Sequence, residues 1–235
     1  MVEQTPESLE RPDRSPTDLA HAVAKAGFSA IPVVGGAAAE LFQYIVGPPI
    51  ERRRDKWMED IAAVVSELQA KAEGVTPESL ANDESFVTVI ANASQIALRT
   101  HLEEKLSALR NAVQNSALPE APDDSTMAVF LNLIDTLTPA HMKLLKVLDD
   151  PRGWFSRNSL QWPNVKSGGL STIVEAALPE LKGRTEFSNL LARDMDSGGL
   201  TSTSSLSGIM SAQGLEARRT TDLGRQFLLF IEKQV

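Results

Sequence analysis

Apolar residues recur along most of this chain at intervals of three and four, the spacing that places them on one face of an α-helix. The pattern is clearest over residues 51–74 and 83–118, and it returns over 126–137. Prolines, glycines and short polar stretches separate these runs. The pattern therefore predicts a mainly α protein, in which the stretch 83–118 forms either one helix or two.

Capping residues predict where several of these helices begin and end. Ser15-Pro16-Thr17-Asp18 combines a cap, a first-turn proline and a first-turn acid, and Gly27 is expected to end the helix that follows. Similar signals predict helix starts at Thr138, Thr185 and Thr221. The helices that begin at the first two are expected to reach residues 149 and 197.

Composition divides the chain into three predicted parts. Residues 1–14 are polar, contain two prolines and are predicted to be a disordered tail. Residues 15–137 are predicted to form a helical bundle, which carries 26–50 as an apolar segment. Residues 138–235 are richer in glycine and serine, and a Ser/Thr/Gly-rich stretch over 200–220 predicts a small β-hairpin. The first 138 residues carry 11 basic and 21 acidic side chains, whereas the remaining 97 carry 12 and 10, so the two regions differ in surface charge.

The apolar segment 26–50 contains one charged side chain, Glu40. About 20 apolar residues in helix span a bilayer, but Pro32 and Gly47-Pro48-Pro49 are expected to limit the uninterrupted helix to roughly 14 residues, about 21 Å. Small residues favour close approach between helices, and those predicted to mediate self-association are Gly27, Gly35, Gly36, Ala38, Ala39 and Gly47. The basic residues that follow, predicted to contact anionic lipids, are Arg52, Arg53, Arg54 and Lys56.

Two interpretations of this segment stay open. In the first, it is a buried helix of the bundle, with Glu40 paired or exposed. In the second, it is sequestered at rest, emerges on activation, oligomerises through its small residues and perforates a membrane. A permanent integral membrane protein is the least favoured interpretation, because the rest of the sequence contains no stretch long enough to span a bilayer.

The C-terminal region resembles a winged helix. Phe187–Leu200 is similar to the recognition helix and first wing strand of bacterial winged-helix proteins, and Arg219–Ile231 to the second wing strand and closing helix. The resemblance implies a recognition helix that enters the DNA major groove, with Arg193, Arg218 and Arg219 as candidate contacts to a partner or to nucleic acid. The positions of that helix expected to be exposed are Thr185, Glu186, Ser188, Asn189, Arg193, Asp194 and Asp196, with Leu190 expected to face inward. One arginine against three acids would repel phosphates, so a protein contact is favoured over DNA.

The N-terminal region has a different resemblance. Phe28–Ile50, followed by Glu51–Trp57, resembles uncharacterised bacterial helical proteins in which a glycine-rich apolar segment precedes a helical bundle. More distantly, it is similar to the HeLo and Bell-type cell-death domains of fungal and bacterial immunity, which are thought to disturb membranes. The resemblance implies an effector of the antiviral-defence or toxin type.

Candidate catalytic chemistry is sparse in this sequence. There are no cysteines, which excludes disulfides and thiolate metal sites. His21, His101 and His141 lie in separate predicted helices, and no P-loop, dinucleotide fingerprint or nucleophile elbow occurs. The sequence therefore predicts a protein that is not an enzyme and that holds neither a metal nor another cofactor.

Together these features predict a non-enzymatic bacterial effector that self-associates, forms pores and answers to a protein activator of unknown identity. The first residues lack the basic region of a secretory signal, so the expected location is cytoplasmic, with peripheral contact at the inner membrane. Two alternatives stay open: a winged-helix DNA-binding regulator whose helical region dimerises, and a protein-interaction scaffold.

Overall fold

The computed structural model of the chain describes residues 37–71 and 75–234. This part is mainly helical, which confirms the predicted class, and carries one small antiparallel sheet. Its helices are α1 Ala37–Lys71, α2 Pro77–Ala81, α3 Glu84–Arg99, α4 Glu103–Ser116, α5 Asp124–Thr136, α6 Pro139–Asp149, α7 Pro151–Arg157, α8 Leu170–Ala177, α9 Thr185–Ser197, α10 Ala212–Glu216 and α11 Asp222–Ile231. The strands are β1 Ser167–Gly169 and β2 Ile209–Ser211. The predicted tail 1–14, the helix of residues 15–27 and the glycines at 27, 35 and 36 lie outside the described residues.

Helices α1, α3, α4 and α5 form one packed group. Helix α1 packs against α3 and α4, and α5 packs against the same two helices. Trp57 of α1 is buried, and its indole N–H donates to the Ser94 hydroxyl of α3 over 2.9 Å. This bond satisfies the one polar group of an otherwise apolar side chain, which allows α1 to pack closely against α3.

Residues 83–118 form two helices, which decides the alternative left open by the apolar pattern. Asp83 caps α3 by accepting the amide hydrogens of Ser85 and Phe86. The chain leaves helical geometry at Thr100 and enters α4 after Leu102. Because α4 then packs against α3, the apolar faces of both helices are buried together.

The prediction that Gly47-Pro48-Pro49 ends a helix is wrong, because α1 continues from Ala37 to Lys71 with both prolines inside it. The fixed φ of proline suits a helix, and its cost arises largely because the carbonyl four residues earlier loses its donor. Those carbonyls belong to Tyr44 and Ile45, which are 82% and 59% exposed, so water can bond to them instead. The expected limit of 14 residues therefore does not hold.

One hydrophobic core runs through both predicted regions. Helix α11, from the C-terminal region, packs against α4 as well as α6. The ring of Phe130 in α5 lies 5.4 Å from that of Phe227 and 5.5 Å from that of Phe230, both in α11. Helix α11 therefore contributes Phe227 and Phe230 to the same core as α5.

The β-structure differs in detail from the predicted hairpin. Strand β1 pairs antiparallel with β2, and a separate bridge joins Thr201 to Thr220. Leu206 provides the reason, because it is buried between these positions. Its N–H donates to the Asn189 side chain and its carbonyl accepts from the Ser171 amide, each over 2.9 Å. The middle of the stretch 200–220 is thereby held against α8 and α9, so it does not pair with the second half of the same stretch.

Candidate assembly and partner-binding surfaces

The first residues of α1 with described side chains, 44–52, include none that is buried. We name them the α1 tip. Tyr44 and Ile45 are exposed apolar residues, and Pro48 and Arg52 are exposed as well. Positions four residues apart share one face of a helix, so Tyr44, Pro48 and Arg52 form a stripe with Ile45 beside it. Among the described side chains of α1, the first buried one is that of Trp57, at 3% exposure. The tip therefore presents an apolar surface that ends in the exposed Glu51 and Arg52.

The four basic residues predicted to contact lipids are not equally available. Arg53 donates to the Leu98 carbonyl over 3.4 Å, Arg54 pairs with the neighbouring Asp55, and Lys56 pairs with Glu103 over 3.2 Å. Such exposed ion pairs contribute only about 0–1 kcal/mol, so they do not prevent binding to an anionic surface. Arg52 is exposed and has no ion pair or hydrogen bond to any described residue.

The three predicted partner contacts of the C-terminal region differ in their surroundings. Arg193 of α9 is exposed. Arg218 instead donates to the carbonyl oxygen of Asp149 and pairs with its carboxylate, both over 3.3 Å. Arg219 donates to the Gly214 carbonyl over 2.7 Å, and its own amide bonds to the Leu148 carbonyl. Both of these arginines therefore bond within the protein, Arg218 through Nε alone.

Two of the positions predicted for α9 are wrong. Ser188, expected at the surface, is 5% exposed, and its hydroxyl has no partner among the described residues. Leu190, expected to face inward, is 44% exposed. Ser188 lies beside the stretch around Leu206, whose amide hydrogen bonds to the neighbouring Asn189 side chain. That contact brings together residues distant in sequence. A helical wheel of α9 alone does not reveal it.

A cleft of about 510 Å³ lies where the loop between α4 and α5 meets α11. We name it the α5–α11 cleft. Its apolar side chains come from both elements: Leu118, Ala121, Pro122, Leu229 and Phe230. Leu229 is 54% exposed, although its neighbours in α11 are largely buried. The volume falls within the range of protein sites that hold a small ligand or a few side chains.

Asn115 forms the base of this cleft. Its side-chain amide donates to the carbonyls of Leu229, Phe230 and Glu232 over 2.8–3.0 Å. These are carbonyls at the C-terminal end of α11, which have no donor within their own helix. The amide oxygen of Asn115 is buried without a partner among the described residues. Asn115 therefore fixes the end of α11 against the end of α4 and so shapes the cleft.

The cleft is acidic. Glu120 and Asp123 line it, and none of its described lining residues is basic. Hydrogen bonds from the hydroxyl and amide of Thr126, followed by the Ser125 amide, lower the pKa of Asp123. Asp123 therefore stays ionised at neutral pH, and the cleft combines apolar side chains with negative charge.

Two buried polar side chains lie outside the lining of the cleft. His141 in α6 is 6% exposed; its Nδ1 accepts the Thr138 amide hydrogen over 3.1 Å, and its Nε2 lies 3.3 Å from Oδ2 of Asp194. Lys105 of α4 donates to the Asp135 carbonyl over 2.6 Å, and burial lowers its pKa. Each side chain bonds within its own predicted region, which is the arrangement of structural polar groups.

The sequence did not identify the α5–α11 cleft. The two prolines and three acids of residues 116–125 predict a surface linker, and the sequence pattern of α11 does not predict that Leu229 faces outward. The available signal was the pair Leu118 and Pro122, apolar residues among acids, but its partner surface lies more than 100 residues further along the chain. Such a long-range meeting of segments does not follow from local periodicity.

Among the helices that the structure describes, none has both the length and the apolar character needed to cross a bilayer. The described residues also contain no group of three or more acidic or histidine side chains placed to bind a metal ion. Comparison of the chain with models of protein families, with curated proteins and with solved structures found no match. Function is therefore argued from the exposed surfaces of the chain.

Proposed function

We propose that this protein is a non-enzymatic bacterial effector that self-associates through the N-terminal part of α1 and then disturbs an anionic membrane surface. The observation that carries the proposal is the α1 tip, where Tyr44 is 82% and Ile45 is 59% exposed. Exposed aromatic and aliphatic residues placed side by side are typical of interaction surfaces. The proposed setting is the cytoplasmic face of the inner membrane.

The continuity of α1 supports this proposal. Because the helix passes through Pro48 and Pro49, the tip is joined without a loop to the packed part of α1. The exposed residues Glu51 and Arg52 follow the apolar residues of the tip. An apolar surface with a neighbouring cation suits the boundary between lipid headgroups and acyl chains. The small residues Ala38 and Ala39 continue the same helix toward its N-terminal end.

We further propose that the C-terminal region is a winged-helix-like module that binds a protein activator. The element order α6, β1, α8, α9, the bridged stretch 200–220 and α11 supports it. Leu190 on α9 and Ile209 on β2 are exposed apolar residues that suit a protein partner. DNA binding is disfavoured because Arg218 and Arg219 bond to the protein itself.

The test is leakage of dye from vesicles that contain about one-third anionic lipid, compared with neutral vesicles. Wild-type protein is expected to release dye only from the anionic vesicles and to sediment with them. The double variant Tyr44→Glu/Ile45→Glu is expected to lose both activities, as are Gly36→Leu and Ala38→Glu. Leu160→Glu is the control, since Leu160 is 37% exposed, is far along the chain from the tip and lies on neither proposed binding surface.

The outcome of this test is decisive in both directions. Leakage that survives the double variant would contradict a role for the α1 tip. Leakage that Leu160→Glu abolishes equally would show that added negative charge, rather than the loss of the tip, is responsible. Wild-type protein that neither binds nor permeabilises anionic vesicles, with or without a cell extract as a source of activator, would overturn the proposed function.

A further inference from the structure

The α1 tip and the α5–α11 cleft lie toward opposite ends of α1. Lys233 follows α11 directly beside the cleft and pairs with Glu67 of α1 over 2.8 Å, which places the cleft near the C-terminal end of that helix. Tyr44 and Glu67 are 23 residues apart in one continuous helix, a separation of about 34 Å at 1.5 Å per residue. The tip therefore does not reach the cleft of its own chain.

The two surfaces are complementary in chemistry. The tip offers the exposed side chains of Tyr44 and Ile45 beside the unpaired cation Arg52. The cleft offers apolar side chains, among them the half-exposed Leu229, beside the carboxylates of Glu120 and Asp123. Each surface thus carries the apolar contact and the opposite charge that the other would need.

We propose that the α1 tip of one copy of this chain docks into the α5–α11 cleft of the next copy. The inference rests on the proposed self-association and specifies its geometry. The mode of contact is a helix face laid into a groove, with Tyr44 and Ile45 against the apolar wall and Arg52 toward Glu120. Attraction between Arg52 and the acidic cleft fixes the orientation of the tip.

The consequence of this contact is a head-to-tail assembly. The surfaces that meet are different, so an open assembly keeps one free tip at one end and one free cleft at the other. Heterologous contacts of this kind give rings when the rotation closes and filaments when it does not.

The experiment is sedimentation velocity of two variants, first separately and then mixed. Wild-type protein is expected to form species larger than a dimer as its concentration rises. Tyr44→Glu keeps the cleft and loses the tip, whereas Leu229→Glu keeps the tip and loses the cleft. Each is expected to be monomeric alone, and an equimolar mixture is expected to form a dimer and nothing larger. Circular dichroism and thermal melts establish that both variants fold.

A charge exchange tests the orientation of the contact. Arg52→Glu and Glu120→Arg are each expected to weaken assembly by about tenfold, and the double variant is expected to recover most of that loss. Asp123 is left unchanged because it caps α5. Leu160→Glu is the control for the cleft variant, since Leu160 is 37% and Leu229 54% exposed and Leu160 lies on neither proposed surface, and it is expected to assemble like the wild type.

The possible results separate this inference from the proposed function. If Leu229→Glu still assembles like the wild type while Tyr44→Glu does not, docking into the cleft is overturned and association through the tip stands. A wild-type assembly that stops at a closed dimer likewise overturns the head-to-tail arrangement. A wild-type protein that stays monomeric at all concentrations, on anionic vesicles as well as in solution, overturns both.

Discussion

His141 joins the start of its own helix α6 to α9, because its Nε2 lies 3.3 Å from Oδ2 of Asp194 while its Nδ1 accepts the amide hydrogen of Thr138. Both contacts are satisfied by a neutral ring that carries its proton on Nε2. Protonation of Nδ1 would direct a second hydrogen at the Thr138 amide. Burial lowers the pKa of His141, the neighbouring Asp194 opposes that effect, and Lys105 adds to it.

This arrangement predicts acid sensitivity. The pKa of His141 is lower in the folded state than its value of about 6.5 in the unfolded chain, so the unfolded state binds more protons between the two values. The contribution of His141 to the free energy of unfolding is therefore complete above pH 6.5 and decreases as the pH falls from 6.5 toward the folded pKa. Denaturant titrations at several pH values from 7.5 to 5 measure it.

The control for this prediction is His141→Gln, which removes the titrating ring and keeps a polar side chain. The difference in unfolding free energy between wild type and variant is expected to shrink as the pH falls. Taking the difference cancels the contributions of the other titrating groups. A difference that stays constant from pH 7.5 to 5 would contradict a lowered pKa for His141.

Phe130 is expected to be essential to the stability of both predicted regions. It is completely buried and contacts Phe227 and Phe230 across the boundary between them. Phe130→Ala is expected to lower the free energy of unfolding by about 3–5 kcal/mol. Because the core is shared, wild type and variant should each unfold in one cooperative transition, with coincident curves from tryptophan fluorescence and circular dichroism.

Val129→Ala provides a matched control one residue away. Val129 is 49% exposed, so the change is expected to cost less than about 0.5 kcal/mol. Two separate transitions in the wild-type protein would show that the N-terminal and C-terminal regions unfold independently, contrary to the shared core.

Local signals in the sequence predicted much of this fold. Thr138-Pro139 marks the start of α6. The helix predicted to begin at Thr185 and to reach residue 197 coincides with α9. Capping depends on side chains within three or four residues of the helix end, so it is visible in sequence. The same reasoning placed the start of α11 at Thr221.

The features that sequence did not predict depend on distant or solvent contacts. Whether Pro48 and Pro49 end a helix depends on whether water can reach the carbonyls that lose their donors. The exposure of Leu190 depends on where the stretch around Leu206 packs. The α5–α11 cleft forms because Asn115 binds the end of a helix more than 110 residues further along the chain. None of these relationships produces a periodic pattern of apolar residues in the sequence.

Arg110 is expected to stabilise the packing of α1 against α4. It donates to Asp60 of α1 over 2.8 Å and to Glu103 of α4 over 2.7 Å, and its side chain is 22% exposed. Arg110→Met keeps the apolar part of the side chain, removes the partner of Asp60 and leaves Glu103 with Lys56 alone. The expected loss in unfolding free energy is about 1–2 kcal/mol, measured by urea denaturation.

The control for Arg110 is the exposed pair of Arg157 and Asp150, whose side chains are 60% and 45% exposed. Arg157→Met is expected to cost less than about 0.5 kcal/mol, since solvent screens the pair. Added salt should reduce the difference between the two variants only slightly, because the Arg110 pairs are partly shielded from solvent. Equal losses in the two variants would mean that burial does not distinguish the pairs.

Gly224 offers a test because helix propensity and packing predict opposite changes in the free energy of unfolding when it is replaced by alanine. Replacing a glycine inside a helix by alanine stabilises it by about 1 kcal/mol when only propensity acts. A β-carbon on Gly224 would lie 2.1 Å from the carbonyl oxygen of Leu200, a backbone atom that also accepts the Thr221 amide hydrogen. Gly224→Ala is therefore expected to destabilise the protein by about 1–3 kcal/mol, as measured by thermal and urea unfolding.

Gly208→Ala is the matched control, because a β-carbon there meets no atom within 4 Å. It is expected to leave the free energy of unfolding unchanged or slightly higher, since alanine restricts the unfolded chain more than glycine does. A stabilised Gly224→Ala would mean that α11 does not approach the backbone of Leu200 closely. The packing of α11 that shapes both the shared core and the α5–α11 cleft would then need revision, so this substitution tests the geometry on which the head-to-tail contact depends.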